Sequence, residues 1–360
     1  MTTLIRHAVT TVVAAFAVAF GSPLAPAGPH RNLFAVVEGG PLHRNGAAEM
    51  ANAGVTSYRF YLAWSQAQPA RGTFDWSRGD EIVGNLAAGG ITALPFLYAT
   101  PSWLASSPQS QPLNGKKKRA WQSFLKAAVS RYGRGGRYWT GGATSPFHRQ
   151  CTCNSKPKPV RAWQIWNEPN FKNYWQGKPS PRGYARLVKI SHRAISIVDK
   201  RAKIVLAGLV GYVRNTGWSF LNRMYGVRGI KRAFDATALH PYARNVTQLR
   251  IEIRKFRAVQ KRRHDARTPL WLTEHGWGSG PHRLSELNKG PRGQKRFLKR
   301  SFTLILQNRK RWNVGRLFWF SWRDGGSYTT GSCDFCKSAG LLNSDGSPKP
   351  AYYAYKRFAK

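Results

Sequence analysis

The sequence predicts a single (β/α)8 barrel, an α/β fold, from its length, its alternation of patterns and its lack of any internal boundary. The chain has 360 residues, too long for a small sandwich and suited to one barrel or to two ordinary domains. Short apolar, β-branched or aromatic runs alternate eight times with longer helical patterns, the signature of βα units around a parallel sheet. No Ser/Gly-rich or Pro-rich linker separates two cores, and no short repeat recurs.

The first 27 residues read as a secretory signal. Arg6 supplies a positive start, residues 8–20 form an apolar run, and Ala25-Pro26-Ala27 gives an A-x-A cleavage site. The run is too short to span a bilayer comfortably, and no other stretch approaches the roughly 20 apolar residues a span needs. The expectation is therefore a protein exported from the cell, with residues 28–360 forming the barrel.

Strands are expected at 34–37, 57–62, 93–98, 161–166, 204–209, 236–239, 270–273 and 317–320. The 161–166 strand is cut off by Pro169, which has no N–H to donate. Helical patterns lie between them, at 80–88, 120–132, 184–199, 246–263 and 293–308, with a last one at 351–358. Near-continuous apolar runs are what strands buried on both faces require.

Lys and Arg number 58 against 15 Asp and Glu, a net charge of +43. Such a surface attracts nucleic acid, acidic polysaccharide or an anionic envelope without choosing among them. The basic clusters are 116–119 and 254–267. The second carries Ile251, Phe256 and Val259 at near-helical spacing, so it reads as an amphipathic helix with a solvated basic face. Neither cluster has the aromatic strand or finger spacing of a nucleic-acid module. The chain holds only seven glutamates: Glu38, Glu49, Glu81, Glu168, Glu252, Glu274 and Glu286.

Barrel enzymes place their chemistry at the C-terminal ends of the strands. Polar and aromatic residues gather there: Glu38, Arg59, Trp64, Tyr98, Trp103, Asn167, Glu168, His240, Tyr242, Glu274, Trp319, Trp322 and Asp324. The fifth strand offers little beyond Tyr212. Two glutamates stand out, each delivered by an apolar strand: Glu168 after the fourth and Glu274 after the seventh. A protonated and an ionised carboxyl facing each other suit glycosidic cleavage, and like charges held close push their pKa values apart. A spacing of about 5–5.5 Å leads to retention of configuration and about 6.5–9.5 Å to inversion. Glu38 reads as the partner of a basic neighbour. Trp64, Trp103, Trp175 and Trp277 could each stack on a sugar, but packing is the commoner use of a buried aromatic.

The motifs WNEPN (166–170), HPY (240–242), TEHGW (273–277) and FWFSWRD (318–324), with SYRFYLAW and QPARGTFDW earlier, resemble glycoside hydrolase clan A. That superfamily includes the cellulase family 5 and family 39. The resemblance implies a retaining double displacement on β-linked sugars, with Glu168 as general acid/base and Glu274 as nucleophile. It implies that Asn167 meets the sugar 2-hydroxyl, Arg59 orients the nucleophile, and His240 and Tyr242 line the same subsite. The clan's tryptophan floor on the eighth strand falls to Trp319 or Trp322. A non-catalytic carbohydrate- or envelope-binding barrel is the competing reading.

Four cysteines form two close pairs, Cys151-x-Cys153 and Cys333-x-x-Cys336. In an exported chain disulfides are the default, and three connectivities are possible. The first pair falls at the barrel bottom and the second at the top, which favours local bridges, above all Cys333–Cys336, and disfavours a four-thiolate zinc site. There is no HExxH motif and no P-loop, and Gly276–Gly280 reads GWGSG rather than G-x-S-x-G. No cofactor is expected. The expected partner is a carbohydrate, neutral or anionic, bound by a monomer.

Overall fold

Eight strands close into a barrel in chain order: β1 (Phe34–Val37), β2 (Ser57–Ala63), β3 (Thr92–Tyr98), β4 (Ala162–Ile165), β5 (Lys203–Val210), β6 (Ala236–His240), β7 (Leu270–His275) and β8 (Val314–Trp319). Every neighbouring pair is parallel, and β8 returns to β1 with Phe34 opposite Leu317 and Val36 opposite Trp319. The computed structural model describes residues 32–39, 42, 46–150, 155–211, 216–325 and 333–360. The expected signal segment, Tyr212, Cys151 and Cys153 lie outside the described residues.

The helices are α1 (Gly46–Asn52), α2 (Trp64–Ala67), α3 (Ser77–Ala88), α4 (Gly115–Tyr132), α5 (Pro146–Gln150), α6 (Pro181–Val198), α7 (Gly217–Met224), α8 (Val246–Arg262), α9 (Gly290–Trp312) and α10 (Pro350–Ala359). Local chemistry starts several of them. Ser180 caps α6 by accepting from the Gly183 N–H at 3.0 Å, with Pro181 in the first turn. Asn245 caps α8 through the Gln248 N–H at 2.9 Å. Among the described residues no helix is long and apolar enough to cross a membrane.

Side-chain alternation along the strands builds two cores. One lines the barrel axis and includes Ala35, Val37, Leu94, Val205, Ala236, Ala238, Phe318 and Phe320. The other fills the space between barrel and helices, where Val36, Leu97, Trp163, Ile165, Leu206, Leu272 and Leu317 meet faces such as Tyr184, Leu187, Val188 and Ile195 of α6. In α8 the buried face runs through Leu249, Ile253, Phe256 and Val259. Ile251 is exposed, against the sequence expectation. Five residues separate it from Phe256, a turn about 140° off the helical face. Arg257, in the cluster read as a solvated face, is buried. The Cys333–Cys336 bridge is present, with Cα atoms 5.3 Å apart.

Candidate active site

A polar layer crosses the barrel where its apolar interior gives way to the mouth. Arg59 of β2, Gln164 of β4, His240 of β6 and Thr273 of β7 are all buried there. Arg59 uses its whole fork. Nε donates to Gln164 Oε1 at 2.5 Å, one terminal nitrogen to Glu274 Oε1 at 2.6 Å and the other to Asn167 Oδ1 at 2.8 Å. Phe96 lies against its guanidinium at 4.1 Å. Gln164 in turn donates to Leu206 O and to Thr273 Oγ1.

Two backbone irregularities aim the carboxylates. Pairing of β7 with β8 slips between Leu272 and His275. Thr273 thereby bonds inside the polar layer while the next residue, Glu274, also reaches inward, and His275 turns out to Ser301 of α9. After β4, Trp166 and Glu168 adopt φ of 72° and 39°, a left-handed conformation costly for side chains of their kind. Three contacts hold it. Trp166 Nε1 donates to Tyr174 O at 2.7 Å, the Phe171 N–H to Glu168 O at 2.9 Å, and the Asn170 amide clasps the Val210 peptide at 3.0 and 3.1 Å.

Glu168 and Glu274 face each other, with one oxygen of each and a His240 nitrogen all within 4.8 Å of one another. Their surroundings differ. Among the described residues Glu168 Oε1 meets His240 Nδ1 alone, at 2.7 Å, whereas Glu274 is held by Arg59 and by the Tyr242 hydroxyl at 2.5 Å. Burial, and then the charge of Glu274, push the Glu168 pKa well above the carboxylate range. Burial raises that of Glu274 too, but Arg59 and Tyr242 pull it back. Of the pair, Glu168 is the one that keeps its proton. His240 is held neutral by burial and by Arg59, its pKa driven well below the usual imidazole range. The trio could also ligate a cation by geometry. A divalent ion would have to displace the Glu168–His240 hydrogen bond and sit beside a guanidinium, so these donors fit proton sharing better.

A model of the glycosyl hydrolase catalytic core matches residues 137–355, which include both carboxylates. The chain belongs to this glycosyl hydrolase family. No curated protein sequence matches it. Among solved structures this glycosyl hydrolase is similar to a family 39 glycoside hydrolase from Bacteroides cellulosilyticus WH2, at TM-score 0.66 and 18% identity over 92% of this chain and 64% of that one. A monomeric β-xylosidase from Caulobacter crescentus CB15 gives 0.64 and 16%, over 90% and 67%. Native xylanase 10B from Thermotoga maritima gives 0.61 and 14%, over 91% and 95%. At these identities the likeness is one of fold, and the chain spans under two thirds of the Bacteroides enzyme.

The barrel brings Arg59, Asn167, Glu168, His240, Tyr242 and Glu274 of this glycosyl hydrolase together, but not the two tryptophans. Alternation turns Trp319 outward. It is fully buried, packs on His275, Trp277 and Phe302 of α9, and donates to Ala339 O. Trp322 is buried against Tyr352 of α10. The ring that the end of the eighth strand turns inward is Phe320, 5.9 Å from Tyr242. This corrects the expected tryptophan floor. Trp64, Trp175 and Trp277 are buried packing residues, and Trp103 is half-buried with its indole N–H on Gln68 O. Glu38 accepts from Arg78 and from the Tyr61 N–H, as a basic neighbour's partner should.

Sequence reasoning missed Gln164, Thr273 and Gly208. A lone polar residue at an inward position of an apolar strand was the signal for the first two. Gly208 of β5 has no such signal: a Cβ there would lie 1.9 Å from His240 Nε2.

Proposed function

We propose that the protein is a retaining O-glycoside hydrolase that cleaves β-linked oligo- or polysaccharides, with Glu168 as general acid/base and Glu274 as nucleophile. The observation that carries this reading is the facing pair of carboxyls, oxygens within 4.8 Å, in unequal settings. That spacing supports direct attack over an interposed water. The similarity in fold to a β-xylosidase supports a β-linked substrate.

In the first step the Glu274 carboxylate attacks the anomeric carbon as the bond to the leaving oxygen breaks. The Glu168 carboxyl gives its proton to that oxygen, which departs as an alcohol. Glu168, now a carboxylate, then takes a proton from water. The water oxygen attacks the same carbon, the Glu274–sugar ester breaks, and Glu168 regains its proton. Arg59 and Tyr242 hold Glu274 ionised and in line. Because Arg59 occupies the Asn167 carbonyl oxygen, the Asn167 amide N–H groups face the 2-hydroxyl in this reading. We also propose export, with the signal removed after Ala27; the N-terminal mass of the secreted protein tests it.

Glu274→Gln should lower turnover roughly 10⁴-fold or more while the melting temperature holds. Glu168→Ala should lose far more on alkyl glycosides than on aryl glycosides whose leaving groups need no proton. Proton NMR of the first-formed product should show the anomer of the starting sugar. Near-normal turnover by Glu274→Gln, or an inverted product, overturns the reading.

A further inference from the structure

Tyr242, which holds Glu274, stands on an aromatic corner. Its hydroxyl donates to Glu274 Oε2 at 2.5 Å, and its ring packs edge-on against Phe335 at 5.1 Å and Phe320 at 5.9 Å. Phe320 and Phe335 also touch each other at 6.0 Å. Phe320 is fixed by its strand: its N–H continues the ladder to His275 O at 2.9 Å.

Phe335 belongs to no strand; it sits in a short 3-10 turn, Asp334–Ser338, and is nonetheless buried. One side of that turn is well anchored. Ser338 O accepts from the Ser279 N–H and from Lys349, Ser338 Oγ bonds Asn288 and the Gly280 N–H, and Gln294 reaches the Ala339 and Gly340 carbonyls. The other side has the Cys333–Cys336 bridge, which closes the turn around Phe335. The bridge spans the two residues that include Phe335 and so pins the backbone that carries its ring to Tyr242.

We infer that Phe335, clamped by the Cys333–Cys336 bridge, is a positioning residue that acts through Tyr242 to hold the Glu274 carboxylate ready for attack. The inference rests on the proposed nucleophile. Without the clamp Tyr242 loses the ring packed at 5.1 Å against it, and its hydroxyl strays from Glu274. The groups that face Glu274 are then Arg59 from β2, Glu168 beyond β4 and His240 from β6. The Tyr242 hydrogen bond lowers the Glu274 pKa, so weakening it moves that pKa up. The acidic limb of kcat/KM, which reports Glu274 ionising, then shifts to higher pH.

The test is a double-mutant cycle read by pH profile on an aryl glycoside that the wild type cleaves. Phe335→Leu keeps apolar volume without the ring, and Cys333→Ser/Cys336→Ser keeps the ring without the bridge. Each should lower kcat/KM by roughly tenfold at its optimum, mainly through kcat, and move the acidic limb upward. Tyr242→Phe should move the limb the same way, and adding Phe335→Leu to it should cause no further shift. Phe335→Tyr, which restores a ring, should bring the profile back. Melting curves show whether each variant is folded. A Tyr242→Phe shift with unmoved limbs in the folded Phe335 and cysteine variants overturns the inference alone. Full activity in Glu274→Gln overturns the underlying reading instead.

Discussion

Gly208 and Glu252 show how single residues shape the site region without touching a substrate. Gly208 leaves room for the His240 ring, since a Cβ would come within 2.0 Å of two ring atoms. Gly208→Ala must therefore push the imidazole off Glu168. We expect it to cost about 1–3 kcal/mol of stability through overpacking. The displaced ring should lower kcat/KM roughly 10²-fold. Unfolding curves and initial rates check both, and an unchanged kcat/KM would mean that His240 does not hold Glu168. Glu252 on α8 is fully buried, and neither of its carboxyl oxygens has a hydrogen-bond partner among the described residues. Burial pushes its pKa up to about 9, against a weaker pull from Lys255. Below its ordinary value near 4.5 it is protonated in both folded and unfolded chains and adds no pH-dependent cost. Between there and about 9 the unfolded chain ionises while the folded one holds its proton, so stability falls as pH rises. The loss is about 1.4 kcal/mol per pH unit at most. Glu252→Gln should therefore exceed the wild type in melting temperature by a margin that widens from pH 5 to 9. A margin independent of pH would show that ionisation is not what Glu252 costs. Much of this scale was readable in the sequence because acids are scarce and the two at strand ends stood out. Gln164, Thr273 and Gly208 stayed hidden because their roles depend on contacts across the barrel between residues distant in the chain.

Among the elements, α8 carries the clearest division between stability and site. Its Arg257 is buried and donates to the Gln260 side chain and to the Ala266 and Thr268 carbonyls. The guanidinium thus ties the end of the helix to the loop that enters β7. Glu274 lies at the opposite end of that strand. Arg257→Ala empties a buried position and removes one donor each from the Ala266 and Thr268 carbonyls, which keep the Asn313 and Gln260 amides, and should cost about 1–3 kcal/mol. Activity per folded molecule should stay at the wild-type level, and rate measurements below the melting transition check it. A large fall in kcat at full folding would mean that the loop transmits strain along β7. The strands themselves were legible from apolar runs, usually to within a residue or two. The start of β8 was not, because Gly315 and Arg316 interrupt its apolar pattern. Gly315 is required there: a Cβ would come within 2.8 Å of the Trp271 indole nitrogen. The short helices α1 and α7, of seven and eight residues, are too brief to show a helical period against their loops. The tryptophan floor was misplaced for a related reason. Trp319, Phe320 and Trp322 stand close together, and only the pleat decides which ring turns inward.

At the scale of the whole molecule, 58 basic side chains against 15 acidic ones leave most positive charge without a partner. Some pairs do form on the surface, such as Lys203 with Asp235 and Arg244 with Glu286, but exposed pairs contribute little. Repulsion among the remaining cations opposes the compact state. Its range is set by salt, with a screening length of about 30 Å at 10 mM and about 10 Å at 100 mM. At low ionic strength much of the surface therefore repels itself, and at moderate ionic strength only near neighbours do. The melting temperature should rise by several degrees between 10 and 200 mM sodium chloride. Two controls separate screening from other causes. Sucrose at matched osmolality should produce a smaller rise. Acetate should match chloride, because screening depends on ionic strength and not on which anion binds. A melting temperature that falls with salt would mean that ion pairs outweigh repulsion on this surface, despite the net charge of +43.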